Sequence, residues 1–234
     1  KKEIKTHIHS RIPDILGVDR LRFANRKILL VGSGHSAATS LKALQKLAQK
    51  TSQTKVLWLS RSRQKNLYDI FENDPLPDRD ALSRLGNNLA TKTPNWLEYL
   101  PGSTVQQITS LPQNNQSVFE VTVKTDSGYR ELEIDEIISN VGFMPDNSLY
   151  RQLQIHECYA TSGPIKLAAT LLEESTDCLA QSTQGIETLK NPEPNFFILG
   201  NKSYGTNPSF LLSTGIKQVE TVMPHLSKTA VANQ

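Results

Sequence analysis

The segment Lys27-Ile28-Leu29-Leu30-Val31, followed at once by Gly32-Ser33-Gly34-His35-Ser36-Ala37, constrains the fold more than any other stretch of the chain. An apolar run this short and branched, closed by glycine, predicts a strand buried on both faces. From Ala37 the apolar residues recur at Leu41, Leu44 and Ala48, which predicts a helix with one buried face running to about Lys50. After a polar loop, Val56-Leu57-Trp58-Leu59 predicts a second buried strand. Strand, glycine turn, helix and strand make one right-handed crossover unit, so the chain reads as α/β with a parallel sheet.

The rest of the chain is less regular. Asn73 to Leu100 carries Pro75, Pro77 and Pro94 around a short helix predicted over 78–90, with Asp78 as its N-cap, and reads as a connection outside the core. Phe119, Val121 and Val123 alternate with Glu120, Thr122 and Lys124, and after Asp126-Ser127-Gly128 a second alternating run begins at Tyr129, which predicts a hairpin with one wet face. Ile137 to Gly142 predicts a further strand, broken by Phe143-Met144-Pro145-Asp146. Beyond it the pattern predicts a helix over 164–179, a strand over Phe196 to Gly200, and a last helix from about Pro208.

Composition excludes several classes. The net charge of +3 over 234 residues, with the basic residues scattered, gives no electrostatic case for nucleic acid or a membrane surface. No apolar run reaches the roughly 18 residues that a membrane-spanning helix needs. The two cysteines, Cys158 and Cys178, form no CxxC pair and read as reduced thiols, which fits a cytoplasmic protein.

Gly32-x-Gly34-x-x-Ala37 stands where a dinucleotide fingerprint stands, after a strand and opening a helix. The first glycine permits the tight turn, the second admits the pyrophosphate to the backbone, and the small third residue lets helix and strand pack closely. Ser36 adds a hydroxyl at the helix start, where free amides and the dipole favour phosphate. The alternative is a purely structural turn. At the end of the second strand, Ser60-Arg61-Ser62-Arg63 replaces the acid that binds an NAD ribose; Arg61 and Arg63 can pair with a 2′-phosphate and so favour NADP. Two solvated loop arginines are the alternative. An S-adenosylmethionine site also wants an acid here and ranks third.

Three segments together resemble the flavoproteins with two dinucleotide-binding domains, the pyridine nucleotide-disulfide oxidoreductase and flavin-containing monooxygenase superfamily. Ile12 to Gly17 with Lys27 to Ala38 is similar to the entry into the inserted NADPH domain. IDEIISNVGFMPD (134–146) resembles the crossing back to the FAD domain, and FFILGNKSYGTNPSFLLSTGIKQV (196–219) resembles the last FAD-domain strand and the helix facing the flavin. The resemblance implies a Rossmann-type NAD(P)-binding domain, a parallel sheet with helices plus a β-hairpin, inserted in the remainder of an FAD-binding domain. The implied boundaries are 1–25 for a segment from the FAD domain, 26–141 for the NAD(P) domain and 142–234 for the rest of the FAD domain.

It further implies that Gly32, Gly34, His35, Ser36 and Ala37 line the NADPH pyrophosphate, Arg61 and Arg63 its 2′-phosphate, and Gly200, Asn201, Asn207, Ser209 and Phe210 the FAD. No side-chain acid or base is implied, because nicotinamide and flavin carry the hydride chemistry and the protein stacks them. The implied activity is NADPH-dependent FAD oxidoreduction, monooxygenase-like, toward a small-molecule acceptor or oxygen. The rival reading is a non-catalytic or truncated NADP-binding module.

Four departures accompany the match. No second GxGxxG turn occurs, so the sequence reads as the C-terminal portion of a longer flavoprotein. Asn201 replaces the aspartate many relatives use, the hydroxylase pattern FxGxxxHxxxY/W is not met before the turn, and no CxxC is present for a disulfide relay. Nothing in the sequence excludes a homodimer.

Other residues have bland readings beside sharp ones. His7 and His9 share a face if Ile4 to Ser10 is a strand; an exposed strand is favoured over a metal site, since no third ligand is evident. His35 either contacts the nucleotide or fills a helix start. His156-Glu157-Cys158 reads as a buried structural cysteine more readily than as a reactive thiol. Lys202 and Tyr204 either approach the cofactor or turn the loop at Gly205.

Overall fold

The computed structural model describes residues 6–64, 66–112, 118–173 and 185–232. The chain divides into two compact units, 1–142 and 143–234.

In the first unit, β1 (Ile8–His9), β2 (Lys27–Val31), β3 (Lys55–Leu59), β4 (Leu97–Leu100) and β8 (Glu136–Ser139) form one parallel sheet in the order β1-β8-β2-β3-β4. β2 pairs with β3 from Lys27↔Lys55 to Val31↔Leu59, so the predicted crossover through helix α2 (His35–Ala48) is present. Strand alternation sorts the apolar residues onto two faces. Ile28, Leu30, Val56, Trp58, Leu97 and Ile138 join Leu41, Leu44 and Leu47 of α2 in one cluster. Leu29, Leu59 and Ile137 join Phe119, Val121, Val123, Leu132 and Ile134 in another. That second cluster belongs in part to an antiparallel sheet of β5 (Thr104–Ser110), β6 (Phe119–Thr125) and β7 (Gly128–Ile134). The unit is therefore three layers: helices, parallel sheet, antiparallel sheet.

Several sequence expectations are corrected here. The stretch 73–100 is not merely a connection. Helix α3 (Pro77–Thr91) starts with Pro at its first position and Leu76 as N-cap, leaving Asp78 in the first turn. It buries Ser83, Gly86, Leu89 and Ala90, and β4 follows it into the sheet. β5 is a further strand without a clear sequence signal; it pairs with β6 across a register shift between Val105 and Gln107.

His7 and His9 do share a face, but neither is simply exposed: His7 Nδ1 lies 2.8 Å from Glu136 Oε1 and His9 Nε2 lies 2.7 Å from Oε2. Arg22, on the short helix α1 (Arg20–Phe23), approaches the same carboxylate at 3.5 Å. The carboxylate of β8 thus ties the first strand to the sheet. Among the described residues no group of three His, Cys, Asp or Glu is arranged to hold a metal ion.

The second unit carries helices α4 (Ile165–Glu173), α5 (Ile186–Leu189) and α6 (Leu212–Ala232), with 3-10 turns at Ser148–Tyr150 and Gly200–Tyr204. Leu167, Leu171, Leu189, Tyr204 and Val222 form its core. Two predicted elements differ. Phe196 to Leu199 forms no strand, because no described strand in this unit offers it a hydrogen-bonding edge. The last helix begins at Leu212 rather than Pro208, since Asn207 Oδ1 accepts the Ser209 N–H at 3.0 Å and holds 207–209 in a turn. Part of the helix predicted over 164–179, and Cys178, lie outside the described residues. No described helix is long and apolar enough to cross a membrane.

Gly86 marks a close helix contact of this architecture, since a Cβ there would lie 2.2 Å from the Tyr68 ring. Gly86→Ala should therefore lower stability, although alanine favours an exposed helix interior by about 1 kcal/mol. The overpacking cost is about 1–3 kcal/mol, and the shift of the urea midpoint reads the sign.

Candidate functional site

The glycine turn divides its duties between two glycines. Gly32 has φ +129°, and a Cβ there would lie 2.1 Å from the Asn140 carbonyl oxygen at the end of β8, so only glycine fits. Its N–H donates to Leu59 O at 3.0 Å, and its carbonyl accepts the Trp58 indole N–H at 2.7 Å. Gly34 differs: it is the extended N-cap of α2, and no heavy atom lies within 4 Å of the place a Cβ would take. Its carbonyl accepts from Ala37 N at 2.9 Å, Ala38 N at 3.2 Å and the Tyr68 hydroxyl at 3.2 Å. The amides of Gly34, His35 and Ser36 have no acceptor among the described residues. Three free donors, the positive end of a 14-residue helix and open space at Gly34 make a cradle for an anion. Ala37 is fully buried, as the third position requires.

The turn is braced from behind by residues that the motif did not reveal. Ser40 donates to Asn140 Oδ1 at 2.8 Å in a buried contact. Tyr68 reaches Gly34 because Asn87 of α3 accepts both the Leu67 and Tyr68 amides, at 2.8 and 3.0 Å, and donates to Tyr68 O at 2.8 Å. Burial pushes the Tyr68 phenol well above the ordinary tyrosine value, so it stays a donor. No local pattern could have announced Tyr68, whose partners Asn87 and Gly34 are 19 and 34 residues away. His35 stands edge-on to Tyr68 with ring centroids 5.5 Å apart, and its Nε2 lies 3.3 Å from Ser83 Oγ. Partial burial first, and the nearby Arg79 charge second, hold its pKa below the ordinary value against the opposing pull of Asp69 and Asp74. The imidazole is therefore neutral at pH 7.

The loop after β3 places the two arginines differently. Ser60 Oγ bonds Ser62 O at 2.7 Å and Tyr99 Oη at 2.8 Å, which fixes the loop backbone. Arg61 is exposed and makes no ion pair among the described residues. Arg63 instead pairs with Asp126 at the hairpin tip, Nη2 to Oδ1 at 2.6 Å.

In the second unit Gly200 has φ +69° and open space where a Cβ would stand. Its N–H donates to Gln218 Oε1 at 2.7 Å, Gln218 Nε2 donates to Ser203 Oγ at 2.9 Å, and Ser203 Oγ donates back to Gly200 O at 2.8 Å. Asn201 is exposed, while Asn207 Oδ1 is committed to Ser209, whose hydroxyl also donates to it at 2.6 Å. Phe210 packs on Tyr204 at 5.3 Å. Tyr204 is buried, and Lys202 donates to Asp146 O at 2.6 Å, so both serve the loop. Gly200 thus leaves open backbone beside the exposed amide of Asn201. Cys158 is free and partly exposed rather than a buried structural residue. Hydrogen bonds from the Thr161 hydroxyl, and from the Thr161 and Ala160 amides, lower its pKa.

No protein-family model matches the sequence, and no curated protein is detectably similar to it in sequence. Solved structures do match. Thioredoxin reductase of Lactococcus lactis in its FR conformation aligns with a TM-score of 0.57 at 13% identity, over 100% of this chain and 61% of that one. Bacillithiol disulfide reductase of Staphylococcus aureus aligns at 0.55 and 16% identity, over 88% and 52%. L-lysine 6-monooxygenase of Pseudomonas syringae aligns at 0.51 and 13%, over 88% and 54%. The chain thus shares the fold of these reductase and monooxygenase structures. It spans between about half and three fifths of the length of these neighbours.

Two expectations follow. Gly32→Ala should destabilise the fold, whereas Gly34→Ala, with empty space around it, should leave the melting temperature nearly unchanged. For His35 the lowered pKa means that the unfolded chain takes up a proton near pH 6.5 before the folded one does. Stability is then lost as pH falls below that value, and the melting temperature of His35→Gln should decline less between pH 7 and pH 5.

Proposed function

We propose that this chain binds NADPH at the Gly32–Ala37 turn as the nucleotide-binding part of an FAD-dependent oxidoreductase. The observation that carries the reading is the unfilled space at Gly34 beside three unclaimed amides, at the end of a central parallel strand where dinucleotides bind in this fold. The pyrophosphate would lie on the amides of Gly34, His35 and Ser36, with the Ser36 hydroxyl in reach. Neutral His35 would flank it as a hydrogen-bonding group rather than a counter-charge. Arg61, and Arg63 once released from Asp126, would hold the 2′-phosphate by charge-assisted bonds.

Bound flavin would accept hydride from nicotinamide and pass electrons to a small-molecule acceptor or oxygen. In the second unit Gly200 would admit the cofactor to the backbone, and Asn201 would offer an amide. Asn207, Ser209 and Phe210 would shape the adjoining turn that leads into α6. The second reading, a nucleotide-binding module that holds no flavin, is favoured by the sequence having no second glycine-rich phosphate turn.

Titration of the purified chain with NADPH and NADH, with the absorption spectrum recorded on the same sample, separates the readings. NADPH preference with a bound flavin band supports the oxidoreductase, and NADPH preference in a colourless protein supports the module. Binding of neither returns the glycine turn to a structural role. Gly34→Ala should abolish nucleotide binding without unfolding the chain. Arg61→Ala should weaken NADPH on the order of tenfold and leave NADH nearly unchanged; equal losses for both would sink the 2′-phosphate assignment.

A further inference from the structure

We propose that Asp126 at the tip of the β6–β7 hairpin tunes the nucleotide preference of this chain by competing with the adenosine 2′-phosphate for Arg63. The inference rests on the nucleotide reading above and goes beyond it, since it makes an acid from another sheet part of the specificity subsite.

The two partners are held in place by separate parts of the fold. On the arginine side, Ser60 N donates to Leu100 O at 3.2 Å, Ser103 N donates to Ser60 O at 2.8 Å, and Gly102 N donates to Ser62 O at 3.1 Å. These bonds pin the loop backbone to the turn after β4. On the acid side, Thr125 Oγ1 donates to Gly128 O at 2.9 Å across the hairpin turn. Arg130 of β7 also pairs with Glu98 of β4 at 2.8 Å, which anchors the hairpin to the parallel sheet. Arg63 meets Asp126 with two nitrogens: Nη2 at 2.6 Å from Oδ1, and Nε at 3.2 and 3.1 Å from the two oxygens. The pair lies over Gly102, where a Cβ would sit 3.0 Å from Asp126 Oδ2 and 3.1 Å from Arg63 Cγ. Gly102 has φ +62°, so the turn both favours glycine and leaves the pair its room.

The pair changes the charge that a nucleotide meets. Without Asp126 the loop would present two guanidinium groups; with it, Arg61 stands alone and Arg63 is neutralised. A 2′-phosphate carries about −1.5 to −2 charges, enough to draw Arg63 away from a carboxylate. Doing so breaks the forked bonds and leaves a bare carboxylate near the phosphate. NADPH bears both costs and NADH bears neither. Both partners are exposed, at 76% and 57% of their side chains, so solvent screens the effect and keeps it modest.

The test compares dissociation constants for NADPH, NADH and the fragment 2′,5′-ADP in the full chain, in Asp126→Asn, in Arg63→Ala and in the double variant. Asp126→Asn should bind NADPH and 2′,5′-ADP about two- to fivefold tighter at low ionic strength, with NADH unchanged. The gain should vanish in the Arg63→Ala background and shrink at about 0.5 M salt. Unchanged melting curves establish that these surface variants are folded. If the wild-type chain prefers NADPH but Asp126→Asn gains nothing or binds it more weakly, the competition is overturned and the nucleotide reading stands. An equal gain in the Arg63→Ala background also overturns it, because Asp126 would then act by direct repulsion. A wild-type chain without preference for NADPH overturns the 2′-phosphate reading, and the competition falls with it.

Discussion

The backbone carbonyl of Asn140 occupies the place that any side chain at position 32 would need, and the glycine turn is built on that contact. It brings the ends of β2 and β8 together, with Asn140 N donating to Val31 O at 2.8 Å. Ser40 then reaches the Asn140 side chain and fixes the first turns of α2 against both strands. With Gly32 held on each side by β3, the chain leaves the sheet at one set angle. Gly34 and the amides after it carry none of this structural duty. That separation explains how a turn can be rigid and still offer unsatisfied donors to solvent, where water can satisfy them.

The layers around the turn follow from the same strands. β2 is buried at three consecutive positions, Ile28, Leu29 and Leu30, because helices cover one face and the antiparallel sheet the other. The covering sheet itself needs only one dry face, which is why Phe119, Val121 and Val123 are buried while Glu120, Thr122 and Lys124 are partly or wholly exposed. Glu136 opens β8 with its carboxylate turned to His7 and His9, so a two-residue strand is kept at the sheet edge by side chains as well as by its own ladder.

The crossover from Lys27 to Leu59 was legible because its buried strands read as continuous apolar runs and its helix as a clean stripe. The hairpin was legible because one wet face imposes alternation. β4 was not, since Leu97-Glu98-Tyr99-Leu100 is an edge strand of four residues with an exposed glutamate in its middle. β5, with Gln106 and Gln107 at its bulge, carries too little apolar signal to stand out. Phe196 to Leu199 misled for the opposite reason: its residues suit a strand, but pairing depends on an edge that sequence cannot display. In the site, the glycines and the two arginines were visible as motif and composition. Tyr68, Asn87, Gln218 and the Arg63–Asp126 pair were not, because each acts through a partner distant in sequence, from 15 residues for Gln218 and Ser203 to 63 for Arg63 and Asp126.

The ion pairs Arg63–Asp126 and Arg130–Glu98 each join the parallel sheet to the antiparallel one through segments encoded far apart. A hairpin lengthened or shortened by two residues would keep its own register, yet it would carry Asp126 past Arg63. Insertions at that tip are the changes a surface turn tolerates best over generations. If Arg63 holds a 2′-phosphate as proposed, descendants of this chain could drift in nucleotide choice through hairpin length alone, with the glycine turn inherited intact.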